Sequence, residues 1–162
     1  MKNRIIEFHI GPRNSGKSVY VENKMLIFDK LLYIATLPQK VEYGDSIRKH
    51  QTRRNDNWHT IEVTFDYYRD ISTISSFLNT SSEQHACMLD GIWTWYHFQN
   101  ELGDTISPSE FAQGIVNLVI NSKSNWYMVD IDYYDYFPQL YTIHNKIIND
   151  LYITKIHKKS YE

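Results

Sequence analysis

Apolar residues in this chain occur as short compact runs separated by stretches in which they recur at helical spacing. Residues 4–10 (RIIEFHI) and 31–36 (LLYIAT) are β-prone runs closed by turn residues, the pattern of strands buried on both faces. Residues 59–63, 86–92, 126–131 and 151–157 read the same way, the second of these ending in Asp90-Gly91. Between them, residues 17–30, 68–78, 93–102, 109–121 and 138–149 carry helical spacing. The polar stretch 45–57 can be helical from Asp45, a fair N-cap, and Pro108 stands where helix first turns favour proline. Strands and helices alternate throughout, which predicts an α/β fold with a mostly parallel sheet of about five to seven strands. No internal repeat, linker or low-complexity stretch interrupts residues 1–162, so a single domain is expected.

Composition narrows this picture modestly. With 42% hydrophobic and 22% charged residues the chain is globular in type, and no apolar run is long enough to span a bilayer. The opening MKNRIIEFHIG lacks the apolar core and cleavage site of a signal peptide, so a cytoplasmic location is expected. Cys87 is the only cysteine, which excludes an internal disulfide and a thiolate metal cluster; its apolar neighbours predict a buried thiol. The net charge of −2 gives no general attraction to nucleic acid, so the local basic cluster of Arg48, Lys49, Arg53 and Arg54 needs its own explanation. The 13 tyrosines, densest over residues 133–141, read as half-buried packing in preference to an aromatic binding surface.

The strongest chemical signal is GPRNSGKS, formed by Gly11, Pro12, Arg13, Asn14, Ser15, Gly16, Lys17 and Ser18. It matches the phosphate-loop template G-x-x-x-x-G-K-[ST], directly after a predicted strand and directly before a predicted helix. Glycines let backbone N–H groups turn inward on a polyphosphate, and the helix N-terminus adds a favourable dipole. In this chemistry Lys17 reaches the β- and γ-phosphates and Ser18 offers its hydroxyl to Mg²⁺. The expected architecture is therefore a three-layer P-loop NTPase of the RecA-like kind, binding GTP or ATP with Mg²⁺. Such a site also needs a carboxylate at the end of a neighbouring buried strand. Asp90, closing CMLD, is the first candidate, with Asp130 and Asp132 in MVDID as alternatives.

A second constellation is SIRKHQTRRNDNWHTIE, residues 46–62, which combines His50, four basic side chains, Trp58 and Glu62. Alone it is a moderately specific polyanion-binding stretch. His50 reads either as a solvated helix histidine or as a neutral imidazole, made less basic by neighbouring arginines, that can attack phosphorus.

GPRNSGKS, LLYIAT, SIRKHQTRRNDNWHTIE and MLDGIWTW, in that order, resemble the bifunctional adenosylcobinamide kinase/adenosylcobinamide-phosphate guanylyltransferase family over about residues 5–100. The resemblance implies phosphorylation of adenosylcobinamide and transfer of GMP from GTP to the cobinamide phosphate through a guanylylated histidine, in cobalamin biosynthesis or salvage. It places His50 at the guanylylated position, which with Lys17 of the phosphate loop makes up the expected catalytic pair. Thr36, Arg53, Arg54 and Glu62 join residues 11–18 in the nucleotide-binding set, and Ser18 and Asp90 hold the metal. It further implies a corrinoid substrate, no nucleic-acid partner and a homotrimer.

The second half departs from this pattern. Where the family carries N-E-V-G-x-G-x-V-P followed by an arginine-bearing helix, the chain reads VDIDYYDYFPQLYTIHNKIIND, without the glutamate, the glycines or the arginines. Ser46 also replaces the usual arginine. Two alternatives follow: a diverged small P-loop kinase or NTPase with another acceptor, or a non-catalytic nucleotide-binding module.

Overall fold

The computed structural model describes residues 4–39, 44–81, 84–153 and 155–161, excluding the side chains of residues 46, 49, 50, 52 and 53. Strands β1 (Ile6–Ile10), β2 (Leu31–Ala35), β3 (Trp58–Glu62), β4 (Ala86–Asp90), β5 (Asn125–Asp130) and β6 (Lys155–His157) form one sheet in the order β3-β2-β4-β5-β1-β6. Every adjacent pair is parallel. All strand C-terminal ends therefore lie along one edge, where ligand sites form in sheets of this type.

Helices α1 (Lys17–Met25), α2 (Gly44–Arg53), α3 (Tyr67–Thr80), α4 (Ile92–Leu102), α5 (Pro108–Asn121) and α6 (Pro138–Leu151) connect the strands. Period-two alternation divides the interior in two. Phe8, Ile10, Leu32, Ile34, Cys87, Leu89, Trp126 and Met128 face a large core closed by α3, α4, α5 and α6. Leu31, Tyr33, Ala86, Met88, Tyr127 and Val129 face the opposite way, against Val21 and Met25 of α1. Three layers result, as the alternating pattern requires, and the face carrying Tyr33 is the one bearing the helix that follows the glycine loop. Cys87 is fully buried as expected, and burial pushes its thiol up to about 12.

Local signals set several boundaries. Ser107 accepts the Glu110 N–H at 3.2 Å and Pro108 opens α5, so the SPSE cap works as its chemistry dictates. α1 is shorter than the 17–30 expected from spacing: it closes at Met25, and Leu26 and Ile27 are exposed in the turn leading to β2. The last strand is likewise shorter than 151–157. Tyr152 adopts a left-handed conformation (φ 54°) that ends α6, its N–H directed at the Asn149 and Ile148 carbonyls, and leaves only Lys155–His157 for β6. Ile92 opens α4 instead of ending β4, because Gly91 turns the chain at φ 92°. Among the described residues no helix is long and apolar enough to cross a membrane.

Candidate functional site

Residues 11–18 link the end of β1 to α1, as their sequence demands. The turn uses two left-handed residues, Asn14 at φ 59° and Gly16 at φ 86°. Asparagine tolerates that region and glycine enters it freely. Lys17 is buried, and its Nζ donates to the Pro12 carbonyl at 2.9 Å, so the ammonium lies folded across its own loop. Burial lowers the Lys17 pKa, partly offset by the negative charges of Asp90, Asp130 and Asp132.

Two elements converge on the Asp90 carboxylate at the end of β4. Ser18, in the first turn of α1, donates its hydroxyl to Asp90 Oδ2 at 3.0 Å. The Tyr33 hydroxyl, from β2, donates to the same oxygen at 3.2 Å. A serine hydroxyl beside a carboxylate is a hard oxygen pair that suits Mg²⁺ completed by phosphate oxygens and water. Ser18 and Asp90 are the residues that would hold such an ion.

The alternative carboxylates are committed elsewhere. Asp130 Oδ2 accepts the Trp93 N–H at 3.0 Å and His144 Nε2 at 2.7 Å, while Oδ1 accepts the Ile131 N–H at 2.9 Å. His144 Nδ1 in turn meets the Tyr134 hydroxyl at 2.7 Å. With Nε2–H directed at Asp130, Nδ1 is the acceptor and Tyr134 the donor. Asp130 thus caps α4 from a neighbouring strand and pins α6 through His144. Asp132 pairs with His157 at 2.8 Å.

Thr36 is buried, and its hydroxyl is directed at the Asp90 and Gly91 carbonyls at 2.8 and 3.0 Å. It braces the turn carrying Asp90 while also lining the cavity. Arg54, just past α2, lays its guanidinium 3.7 Å from the Tyr33 ring centre, with Nη1 3.8 Å from Glu22 Oε1. Its side chain is 7% exposed, and Nη1 has no hydrogen-bond partner among the described residues. Glu62, ending β3, accepts from Gln39 at 2.9 Å.

A cavity of about 270 Å³ joins these groups, lined by Arg13, Lys17, Ser18 and Asp90 together with Arg54 and Glu62. The structure therefore brings the glycine loop and the basic-aromatic segment to one space. Ile47 and Gln51 of α2 also line it. The side chains of His50 and Arg53 lie outside the described residues.

Sequence reasoning overlooked Tyr33, read only as part of a buried strand. Its signal is a hydroxyl in an otherwise apolar run, which must find a partner when buried. It likewise overlooked Tyr133, whose hydroxyl accepts the Arg13 N–H at 3.1 Å from the loop after β5.

The family model described as cobinamide kinase / cobinamide phosphate guanyltransferase matches residues 8–128. That span holds the glycine loop, Tyr33, α2, Arg54, Glu62 and Asp90; Asp130, His144 and β6 lie beyond it. A search among curated proteins finds no match.

Proposed function

Because the chain belongs to the cobinamide kinase / cobinamide phosphate guanyltransferase family, an enzyme family of cobalamin biosynthesis, we propose that it phosphorylates adenosylcobinamide and transfers GMP from GTP to the product through His50. The observation that carries this reading is the contact of Ser18 with Asp90 beside Lys17, which supplies the cation and the oxygen donors that nucleotide transfer needs.

In the first reaction the cobinamide hydroxyl oxygen attacks the γ-phosphorus, the bond to the bridging oxygen breaks, and the nucleoside diphosphate leaves as the hydroxyl loses its proton. Lys17 and the N–H groups at the start of α1 balance charge on the transferring group. Ser18 and Asp90 would hold Mg²⁺, which would supply further neutralisation of phosphate charge.

In the second reaction an imidazole nitrogen of His50 attacks the α-phosphorus of GTP and expels pyrophosphate. A phosphate oxygen of the acceptor then displaces His50, forming a phosphoanhydride. The covalent step splits one difficult transfer into two in-line displacements. Ile47 and Gln51, on either side of His50 along α2, line the same cavity as Lys17. Arg54 fits a phosphate-binding role there, since its Nη1 is buried with no hydrogen-bond partner among the described residues and a phosphate oxygen supplies one. Arg53 and Glu62 complete the nucleotide-binding set in this reading, and a homotrimer is its expected assembly.

Incubation with GTP labelled at the α-phosphate tests the reading. A protein-bound label stable to alkali, labile to acid and abolished in His50→Asn is expected. Triphosphate turnover without any adduct would instead favour a kinase or NTPase acting on another acceptor, a reading supported by the departure of the loop after β5.

A further inference from the structure

The glycine loop is held from behind by the segment that follows β6. Lys158 N–H donates to the Ile10 carbonyl at 3.1 Å, and Tyr161 N–H donates to the Ser15 carbonyl at 2.9 Å. The Tyr161 hydroxyl lies 2.8 Å from both the Ile10 and the Ile156 carbonyls. These contacts grip the loop at both ends, at the residue before Gly11 and at the residue before Gly16.

We propose that residues 158–161 act as a strut holding the glycine loop in its phosphate-binding shape, with Tyr161 as the positioning residue. This rests on the triphosphate-binding reading above. The physical link is the planarity of the trans peptide, in which the carbonyl of one residue and the N–H of the next point in opposite directions. Fixing the Ser15 carbonyl on Tyr161 aims the Gly16 N–H the other way. Residues 158–161 do not line the cavity, whereas Arg13, Lys17 and Ser18 do.

Packing supports the strut independently of its hydrogen bonds. Tyr161 is 5% exposed, and its ring sits 5.7 Å from His9 and 5.5 Å from Tyr20, centre to centre. A Cβ on Gly11 would come within 2.5 Å of the Lys158 carbonyl oxygen and 3.1 Å of the Tyr161 ring. The first glycine of the loop is thus required by the strut as well as by phosphate binding. Without the Tyr161 side chain, the Ile10 and Ile156 carbonyls lose its hydroxyl, and the backbone N–H that clamps Ser15 loses the packed ring holding it in place.

The test compares the full chain with Tyr161→Phe, Tyr161→Ala and, as a control on the exposed side of the segment, Lys159→Ala. Two quantities are read at a temperature where circular dichroism shows every variant folded. One is the dissociation constant for a fluorescent, non-hydrolysable triphosphate with Mg²⁺; the other is amide exchange of the peptide spanning residues 11–18. Tyr161→Phe keeps the ring and both backbone bonds, so a loss of about fivefold is expected, the size of one hydrogen bond. Tyr161→Ala is expected to lose on the order of tenfold or more, with faster exchange concentrated in residues 11–18, and Lys159→Ala to match the unaltered chain.

Unchanged triphosphate affinity in folded Tyr161→Ala overturns the proposal. So does faster exchange spread evenly over the chain, which would reduce Tyr161 to general packing. Failure of the unaltered chain to bind any triphosphate would overturn the nucleotide reading instead. The exchange of residues 11–18 would then decide alone whether the segment holds the loop.

Discussion

Ser18 and Asp90 meet at 3.0 Å although β1 and β4, which lead to them, are separated in the sheet by β5. Two strand spacings amount to roughly 10 Å, so the loop and the first turn of α1 must carry Ser18 sideways over the end of β5. Asp90 receives a second hydrogen bond from Tyr33 on its other flank. The carboxylate is thereby aimed by two hydroxyl donors from different elements.

Asp90→Asn removes the negative charge while keeping the shape. The unaltered chain should bind triphosphate more tightly with Mg²⁺ than with a chelator. In the variant that difference should shrink by about tenfold to a hundredfold, the range seen when metal-supporting groups are lost. Calorimetric titration with and without Mg²⁺ checks this, and an undiminished Mg²⁺ effect would remove Asp90 from the metal site.

Lys17→Ala deletes the buried cation of the loop. Charge-assisted hydrogen bonds contribute about 1.5–3 kcal/mol each, so triphosphate affinity should fall by roughly tenfold to a hundredfold. Fluorescence titration gives the number. Equal affinity in the variant would contradict a phosphate role for residues 11–18.

Asp130 and His144 form a buried pair whose partners span β5, α4, α6 and the loop bearing Tyr134. Removing one member leaves the other buried with unmet polar atoms, so Asp130→Ala and His144→Ala should each cost about 3 kcal/mol. The double variant should cost less than the sum by at least about 1 kcal/mol, because the second change removes a group already orphaned. Urea unfolding of the four proteins measures the cycle, and strict additivity would deny the coupling.

His9 is buried beside Glu7 at 2.8 Å, between the rings of Tyr20 and Tyr161. Burial holds its pKa below the ordinary value of 6.5; Glu7 opposes the shift, while Lys24 and Lys158 add to it. With the folded pKa depressed, the unfolded chain takes up a proton first as pH falls. The His9 contribution to stability is therefore full above about pH 6.5 and declines below it until the folded pKa is reached. His9→Gln should flatten unfolding free energy against pH in that window. A slope unchanged by the substitution would exclude His9 as its source.

The α/β class, the phosphate loop and the SPSE helix start were legible in the sequence because each is a local, contiguous signal. Period-two and helical spacing, a glycine loop of fixed length and a capping serine act within a few residues of themselves. The choice among three strand-end aspartates was not local. Ser18 and Asp90 are 72 residues apart, and only the folded sheet brings that hydroxyl to that carboxylate. Asp130 looked equivalent by pattern, yet its neighbours in space are the start of α4 and His144, which satisfy its oxygens. The union of Tyr33, Arg54 and Asp90 likewise belongs to the sheet, which sets β2 between β3 and β4. Residues 158–161 carry no motif, and Tyr161 reaches Ile10 across 151 positions because β6 pairs beside β1 and ends behind the loop. The sequence by itself thus determined that a polyphosphate loop exists and in which class of fold. Only tertiary structure decided which carboxylate, arginine and tyrosines lie beside it, because those neighbours are selected by strand order and burial, which no short window of residues encodes.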